Sequence, residues 1–332
     1  MAQAREVRIE AFGPASVMTV QTRDLPPPGP TQVQVRQSAI GFNYIDVYQR
    51  SGVYQMPLPS GLGHEAAGVV AAVGSDVRDL KVGDHVAYMN AGSSASDSLG
   101  AYADLRNVAA ERLVKIPAGI SDEEAAALIF KGLTAQYLVK KTYAVQPGDM
   151  VLIHAAAGGV GQILASWTKA LGAFVVGTAG SPEKVAIALA AGCDVAVDYS
   201  KPDWVEKVLE ATGGRKARVV YDSVGKDTLL KSMDLAAPFG LVVSYGAASG
   251  KAPAIEPELL GKKGNLFLTR PSIFPHNADS GALRANAADL FDAIATGKVK
   301  AAIGARFPLA DVVKAHEAAE ARATQGAILL IP

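Results

Sequence analysis

The chain has 332 residues, 49% of them hydrophobic, and its 32 Lys and Arg are balanced by 32 Asp and Glu. That length allows two domains with a sizeable core. The apolar content excludes a disordered chain, and zero net charge offers no electrostatic ground for nucleic acid or an anionic membrane. The single cysteine, Cys193, excludes an intrachain disulfide. No apolar run is long enough to span a bilayer, and the first residues lack a charged start followed by an apolar core. The expectation is a cytoplasmic protein acting on a small molecule.

In chain order, the first 125 or so residues read as β-rich. "TQVQVRQSA" alternates apolar and polar, "EAAGVVAAVG" is a run of small and β-branched residues, and "GDHVAYM" follows a turn signal. The Pro-rich stretch Leu25 to Pro30 predicts a turn between strands, and "SSASDS" a polar loop. From Ser121 the pattern turns helical, with a capping Ser and early acids. After Pro147-Gly148-Asp149, five short β-branched runs ("MVLIHA", "AFVVGT", "DVAVDY", "ARVVYDS", "GLVVSYG") alternate with helical patterns, of which the first two close on Gly. Such alternation predicts a parallel sheet covered on both faces. The alternation ends near "GNLFLTR"; helices are expected from about Asn286 to Thr296 and from about Leu309 to Arg322, then a last strand "AILLIP".

"DMVLIHAAAGGVGQILA" reads as strand, turn and helix, with Ala156, Gly158 and Gly161 at the three positions of G-x-G-x-x-G. The middle residue must lack a side chain so that the backbone can approach a pyrophosphate. The last lets helix and strand pack closely, and the helix N-terminus supplies free N–H groups. In the first unit of a βα series this predicts dinucleotide binding. NAD sites place an acid about 20 residues on, at the end of the second strand. Here the strand ends in Thr178 without one, and Glu183 comes only inside the next helix. Ser181, Lys184 and the helix N-terminus after Pro182 suit a 2′-phosphate instead, so NADPH is favoured over NADH.

The stretches "GFNYIDVYQRSGVY", "PSGLGHEAAGVV", "FKGLTAQYL", "HAAAGGVGQ", "VVYDSVGKDT", "TRPS" and "RATQGAILLIP" resemble, in order along essentially the whole chain, the quinone oxidoreductase (zeta-crystallin-like) branch of the medium-chain dehydrogenase/reductase superfamily. The resemblance implies an α/β fold: a GroES-like catalytic domain over 1–125, an inserted Rossmann NADPH-binding domain over 126–268, and a C-terminal return to the catalytic domain over 269–332. It also implies a homodimer, often formed by edge strands of the nucleotide domain. By the same resemblance, Asn43 and Tyr48 line the cofactor and substrate cleft, and Thr134 lies near the nicotinamide. Gly158, Gly159, Val160 and Gly161 underlie the pyrophosphate, and Gly180, Ser181, Lys184 and Tyr199 surround the adenosine phosphate. Ser223, Tyr245, Gly246 and the strand Phe267, Leu268, Thr269 line the rest of the groove, and Arg322 is a distal cofactor contact.

"GHE" (Gly63 to Glu65) resembles the zinc-binding tripeptide of zinc alcohol dehydrogenases, but the ligand cysteine of that branch falls at Asn43, a poor zinc ligand. Cys193 lies far away within the nucleotide fold. No metal is expected; a set of His64, Glu65 and Asp46 is the minor alternative. Without a metal, oxidising an alcohol would need a strong base, and none stands out. A quinone is already an electrophile, and Asn43, Tyr44 and Tyr48 can offer hydrogen bonds to its oxygen. The expected activity is zinc-independent NADPH:quinone reduction. The alternatives are an enone or alkenal reductase of the same fold and, from another class, RNA binding, against which zero net charge and the absence of a basic run argue, or a structural role, against which the intact phosphate-binding turn argues.

Overall fold

The computed structural model describes residues 1–90, 99–321 and 323–332. The expected polar loop "SSASDS" and Arg322 lie outside the described residues. The chain divides into two units: one of residues 1–133, 274–295 and 301–332, the other of residues 134–273 and 296–300. Among the described residues no helix is long and apolar enough to cross a membrane.

The first unit holds a seven-stranded sheet. Ile303–Pro308, Ala327–Ile331, Gln32–Gly41, Glu65–Val73, His85–Met89 and Leu113–Lys115 follow one another across it, and Leu105–Ala109 also pairs with Gln32–Gly41. A smaller sheet sets Ala2–Ile9 between Thr19–Leu25 and Ser60–Gly61. The alternation of "QVQVRQSAIG" buries Val33, Val35 and Ile40 in a core shared with Val7, Leu62, Val86 and Tyr88. The tail does rejoin this unit: Leu329 and Leu330 pair with Gly41 and Ile40, and Val312, Ala315 and Ala319 of helix Val312–Glu320 enter the same core.

The second unit is built on six parallel strands, Met150–Ile153, Phe174–Ala179, Val195–Asp198, Ala217–Asp222, Ala236–Ser244 and Phe267–Thr269. Counted along the chain they lie in the order 3-2-1-4-5-6, the doubly wound arrangement of dinucleotide-binding sheets. Met150, Leu152, Val176 and Val220 pack on Trp204, Val208 and Met233. Gly172 and Gly192, with φ of +87° and +115°, stop the helices before the next strands.

Two helices differ from the sequence expectation. The helix expected from about Asn286 begins at Ser280, because Asp279 caps it through the amide of Ala282 at 2.8 Å, while Ser and Gly in its first turn weaken the pattern. The helix expected from Leu309 opens as a 3₁₀ turn, Leu309–Asp311, and is α-helical only over Val312–Glu320.

Gly68 marks one tight strand crossing of the larger sheet, since a Cβ there would sit 2.1 Å from the carbonyl oxygen of Arg36. Gly68→Ala is therefore expected to lower stability by about 3 kcal/mol, through backbone displacement rather than lost contacts. A thermal midpoint equal to that of the unmodified chain would refute this reading of the crossing.

Candidate functional site

In the second unit, strand Met150–Ile153 is wholly buried and ends at His154, after which Ala155 turns the chain at φ +51°. Ala155 O accepts from the amide of Gly158, which caps helix Gly159–Ala170. The first helical bond runs from Gln162 N to Gly158 O, leaving the amides of Gly159, Val160 and Gly161 ahead of the helix ladder. Gly158 is exposed, and Gly159 and Val160 are half-buried, so these amides lie where an anion can reach them. A Cβ at Gly161 would stand 2.2 Å from Ala155 O and 2.8 Å from Ala156 Cα; one at Gly158 would meet only Ala155 O, at 3.2 Å. The strict requirement thus falls on the last glycine, where helix and strand touch.

The end of the second strand gathers Gly180, Ser181, Lys184 and Tyr199. The Tyr199 hydroxyl would lie 3.3 Å from a Cβ on Gly180, and Tyr199 N donates to Ala179 O at 2.9 Å. Ser181 caps helix Pro182–Ala190 by accepting from Lys184 N. Thr178 does not belong to this corner, because it is buried with its hydroxyl 2.7 Å from His154 Nδ1. One carboxylate does. The Ser181 hydroxyl bonds Glu183 and holds that carboxyl below its ordinary range, so an acid stands nearer the corner than the strand pattern implies. It is fully exposed and screened by water.

The remaining residues expected to line the groove follow the fourth, fifth and sixth strands. A Cβ on Gly246 would come within 2.5 Å of Ser223 O, Ser223 bonds the Tyr245 side chain, and Tyr245 N donates to Asp222 O at 2.8 Å. Phe267, Leu268 and Thr269 form the edge strand, with Phe267 61% exposed. Thr134 is buried within helix Asp122–Tyr137. Behind these loops runs a polar chain that sequence reasoning missed: Thr178 to His154, His154 Nε2 to Ser232 at 2.9 Å, and Ser232 to Asp222 at 2.8 Å. It ties the ends of the first, second and fourth strands together. The only signal in the sequence was a His and an Asp closing apolar runs.

In the first unit, helix Tyr44–Arg50 presents two faces. Tyr44, 40% exposed, stacks edge-on with Tyr48, and Tyr48 with Tyr54, each pair at 5.2 Å. The opposite face is polar and buried. Asp46 accepts from Asn43 N at 2.8 Å and Tyr102 OH at 2.7 Å; Asn43 Nδ2 donates to Glu65 at 2.7 Å; Gln49 lies 3.0 Å from His64 Nε2. Asn43 is thus part of the wall as well as a residue beside the tyrosines. Glu65, fully buried, takes Lys131 Nζ at 2.8 Å on the same oxygen as Asn43 and Phe130 N at 2.6 Å on the other.

Burial drives the ionisation of this cluster. It lifts Asp46 to about 7, helped by the negative charge of Glu65 and opposed by the hydrogen bonds from Asn43 and Tyr102. It depresses His64 to about 4, helped by the positive charge of Arg106, and His316 to about 3, helped by Arg50. These side chains do not fit a zinc ion. The Glu65 oxygens are committed to an ammonium and two N–H donors, and one Asp46 oxygen is taken by two donors. His64 Nε2 is held by Gln49, and an ammonium 2.8 Å from the carboxylate opposes a second cation. Among the described residues no group of three or more His, Cys, Asp or Glu is placed to hold a metal. Lys131, Tyr102 and His316 escaped the sequence reading because each is distant along the chain from the residue it serves.

A doubly wound sheet with an anion-ready glycine turn, carried in one chain with a β-rich unit, defines a dinucleotide-dependent oxidoreductase. Two family models match the chain: an alcohol dehydrogenase GroES-like domain over residues 29–118 and a zinc-binding dehydrogenase over residues 159–279. A quinone oxidoreductase of Pseudomonas aeruginosa is 46% identical over 330 residues, covering 99% of this chain and 100% of the relative. A 2-haloacrylate reductase of a Burkholderia species is 43% identical, covering 92% of each. The crystal structure of Escherichia coli quinone oxidoreductase complexed with NADPH superposes with a TM-score of 0.93 at 44% identity, covering 100% of both chains. The chain belongs to the quinone oxidoreductase family of the medium-chain dehydrogenase/reductase superfamily.

The depressed histidines give a pH dependence. A histidine whose folded pKa lies below its unfolded value of 6.5 binds its proton preferentially when unfolded, so stability rises with pH between about 4 and about 6.5. Asp46, raised from 3.8 to about 7, works in the opposite sense over the same window. With His64 and His316 against one Asp, and buried His154 depressed as well, the thermal midpoint is expected to fall as pH drops from about 6.5 to about 4.5. His64→Phe should flatten that slope; an unchanged slope would contradict the assignment.

Proposed function

We propose that this chain is a zinc-independent NADPH:quinone oxidoreductase. The observation that carries the reading is the commitment of Glu65 to Lys131, Asn43 and the Phe130 amide. An ammonium ion-paired to Glu65 supports chemistry without a Lewis acid, and so an acceptor that is itself electrophilic. The full-length similarity to quinone oxidoreductases points the same way. Bound NADPH supplies the reducing equivalents. The amides of Gly158, Gly159, Val160 and Gly161 hold its pyrophosphate, and Gly180, Ser181, Lys184 and Tyr199 receive the 2′-phosphate. Thr134, Ser223, Tyr245, Gly246, Phe267, Leu268, Thr269 and Arg322 complete the cofactor contacts, with Asn43 and Tyr48 toward the nicotinamide. Tyr44 and Tyr48 face the acceptor. In this reading residues 1–125 and 269–332 form the catalytic domain and 126–268 the NADPH domain of a cytoplasmic homodimer that binds neither nucleic acid nor membrane.

A second reading, reduction of an activated carbon–carbon double bond, is favoured by the 2-haloacrylate reductase relative. It requires a proton at carbon, hence an acid such as Tyr44 or Tyr48.

Chelator-treated protein is expected to oxidise NADPH with quinones at an undiminished rate, and to prefer NADPH to NADH by about tenfold or more. Failure with every quinone tested, or loss on chelation that zinc restores, would overturn the proposal. Tyr44→Phe and Tyr48→Phe separate the readings. Quinone turnover should change by less than about threefold, whereas an enone reductase should lose about a hundredfold with one of them.

A further inference from the structure

Helix Tyr44–Arg50 is held from behind by side chains that no part of the proposed chemistry uses. Arg50, His316, Tyr102 and Asp46 are each 2% exposed or less. Arg50 Nη1 lies 3.3 Å from His316 Nδ1 and 2.7 Å from Glu320 Oε1. His316 Nε2 lies 3.3 Å from the Tyr102 hydroxyl, which is 2.7 Å from Asp46 Oδ2.

The donor inventory gives this chain one direction. A guanidinium only donates, so His316 Nδ1 is the acceptor and Nε2 carries the hydrogen. That hydrogen points at the Tyr102 oxygen, leaving the Tyr102 O–H for Asp46. The same carboxylate oxygen takes the amide of Asn43 at 2.8 Å, at the start of the helix. The chain therefore leaves the helix at its last residue and returns at its first turn. The His316 ring also meets Phe42 edge-on at 4.9 Å, directly ahead of Asn43. Burial, and then the positive charge of Arg50, disfavour a protonated His316.

We propose that His316, acting through Arg50 at one end and through Tyr102 and Asp46 at the other, is a positioning residue for the helix that carries Tyr44 and Tyr48, and so determines acceptor affinity. The proposal rests on the reading of those tyrosines as acceptor-facing. His316 lies 266 residues from Arg50 and 214 from Tyr102 along the chain. Its contacts with Arg50, Tyr102 and Phe42 carry its effect to the helix through the backbone at the two helix ends.

The test compares His316→Leu, which removes both ring nitrogens, with His316→Gln, whose carbonyl can accept from Arg50 while its amide donates to Tyr102. His316→Leu should raise the quinone KM by about fivefold or more with kcat within about twofold, and His316→Gln should return KM to within about twofold of the unmodified protein. Binding of adenosine 2′,5′-bisphosphate, the adenosine half of the cofactor, should be unchanged in both. Equal KM values for the Leu and Gln variants, or a loss confined to kcat, overturns the proposal. Should His316→Leu fail to fold, Tyr102→Phe decides: a raised quinone KM supports the chain, an unchanged one refutes it. Unmodified protein that reduces no quinone sinks the functional reading itself, whereas quinone turnover indifferent to these variants sinks only the positioning role.

Discussion

A carboxylate with no access to water sits on a central strand of the larger sheet, and much of the first unit is arranged around making Glu65 tolerable there. An unpaired charge in that position would be prohibitively unfavourable. Three donors from two directions offset it: Lys131 and the Phe130 amide from helix Asp122–Tyr137, and Asn43 from the turn before helix Tyr44–Arg50. The neighbouring strand must give way as well, since a Cβ on Gly41 would fall 2.2 Å from Glu65 Oε1. Glu65 thereby joins two helices to a strand, and Asn43 is oriented as a consequence.

The second unit solves a related problem with neutral groups. The surface proposed to take the cofactor is a set of loops at the carboxyl ends of parallel strands, which have no sheet partners of their own. Beneath them Asp222 accepts from the amides of Val224 and Gly225 and from the hydroxyls of Thr228 and Ser232, and His154 links that cluster to Thr178. Fully satisfied buried networks of this kind rigidify what they join. In each unit most of the residues proposed to meet ligand are partly exposed and supported by a buried polar chain, so their geometry depends on side chains that never reach the ligand.

How much of this could be read from the sequence depended on whether the determining interaction was local. The turn before helix Gly159–Ala170 was legible because its requirement, no side chain at Gly161, concerns residues six positions apart at most. Ser121 was legible as the cap before helix Asp122–Tyr137 because capping acts within one turn. The start of helix Ser280–Ala295 was misplaced because Asp279 caps a first turn of poor helix formers. The position of Glu183 beside the Ser181 hydroxyl was not expected from its place inside the next helix.

The sequence by itself determined the alternation that makes a doubly wound sheet, the glycine turn that opens it, the absence of a thiolate at Asn43, and hence the family. Those properties live in short-range pattern and residue chemistry. Only the tertiary structure decided that Lys131 pairs with Glu65, that Thr178 turns inward to His154, and that His316 stands between Arg50 and Tyr102. Each of those contacts joins segments far apart in the chain, and which buried donor meets which acceptor is settled by packing, because a buried polar group must find its partner among whatever the fold brings beside it.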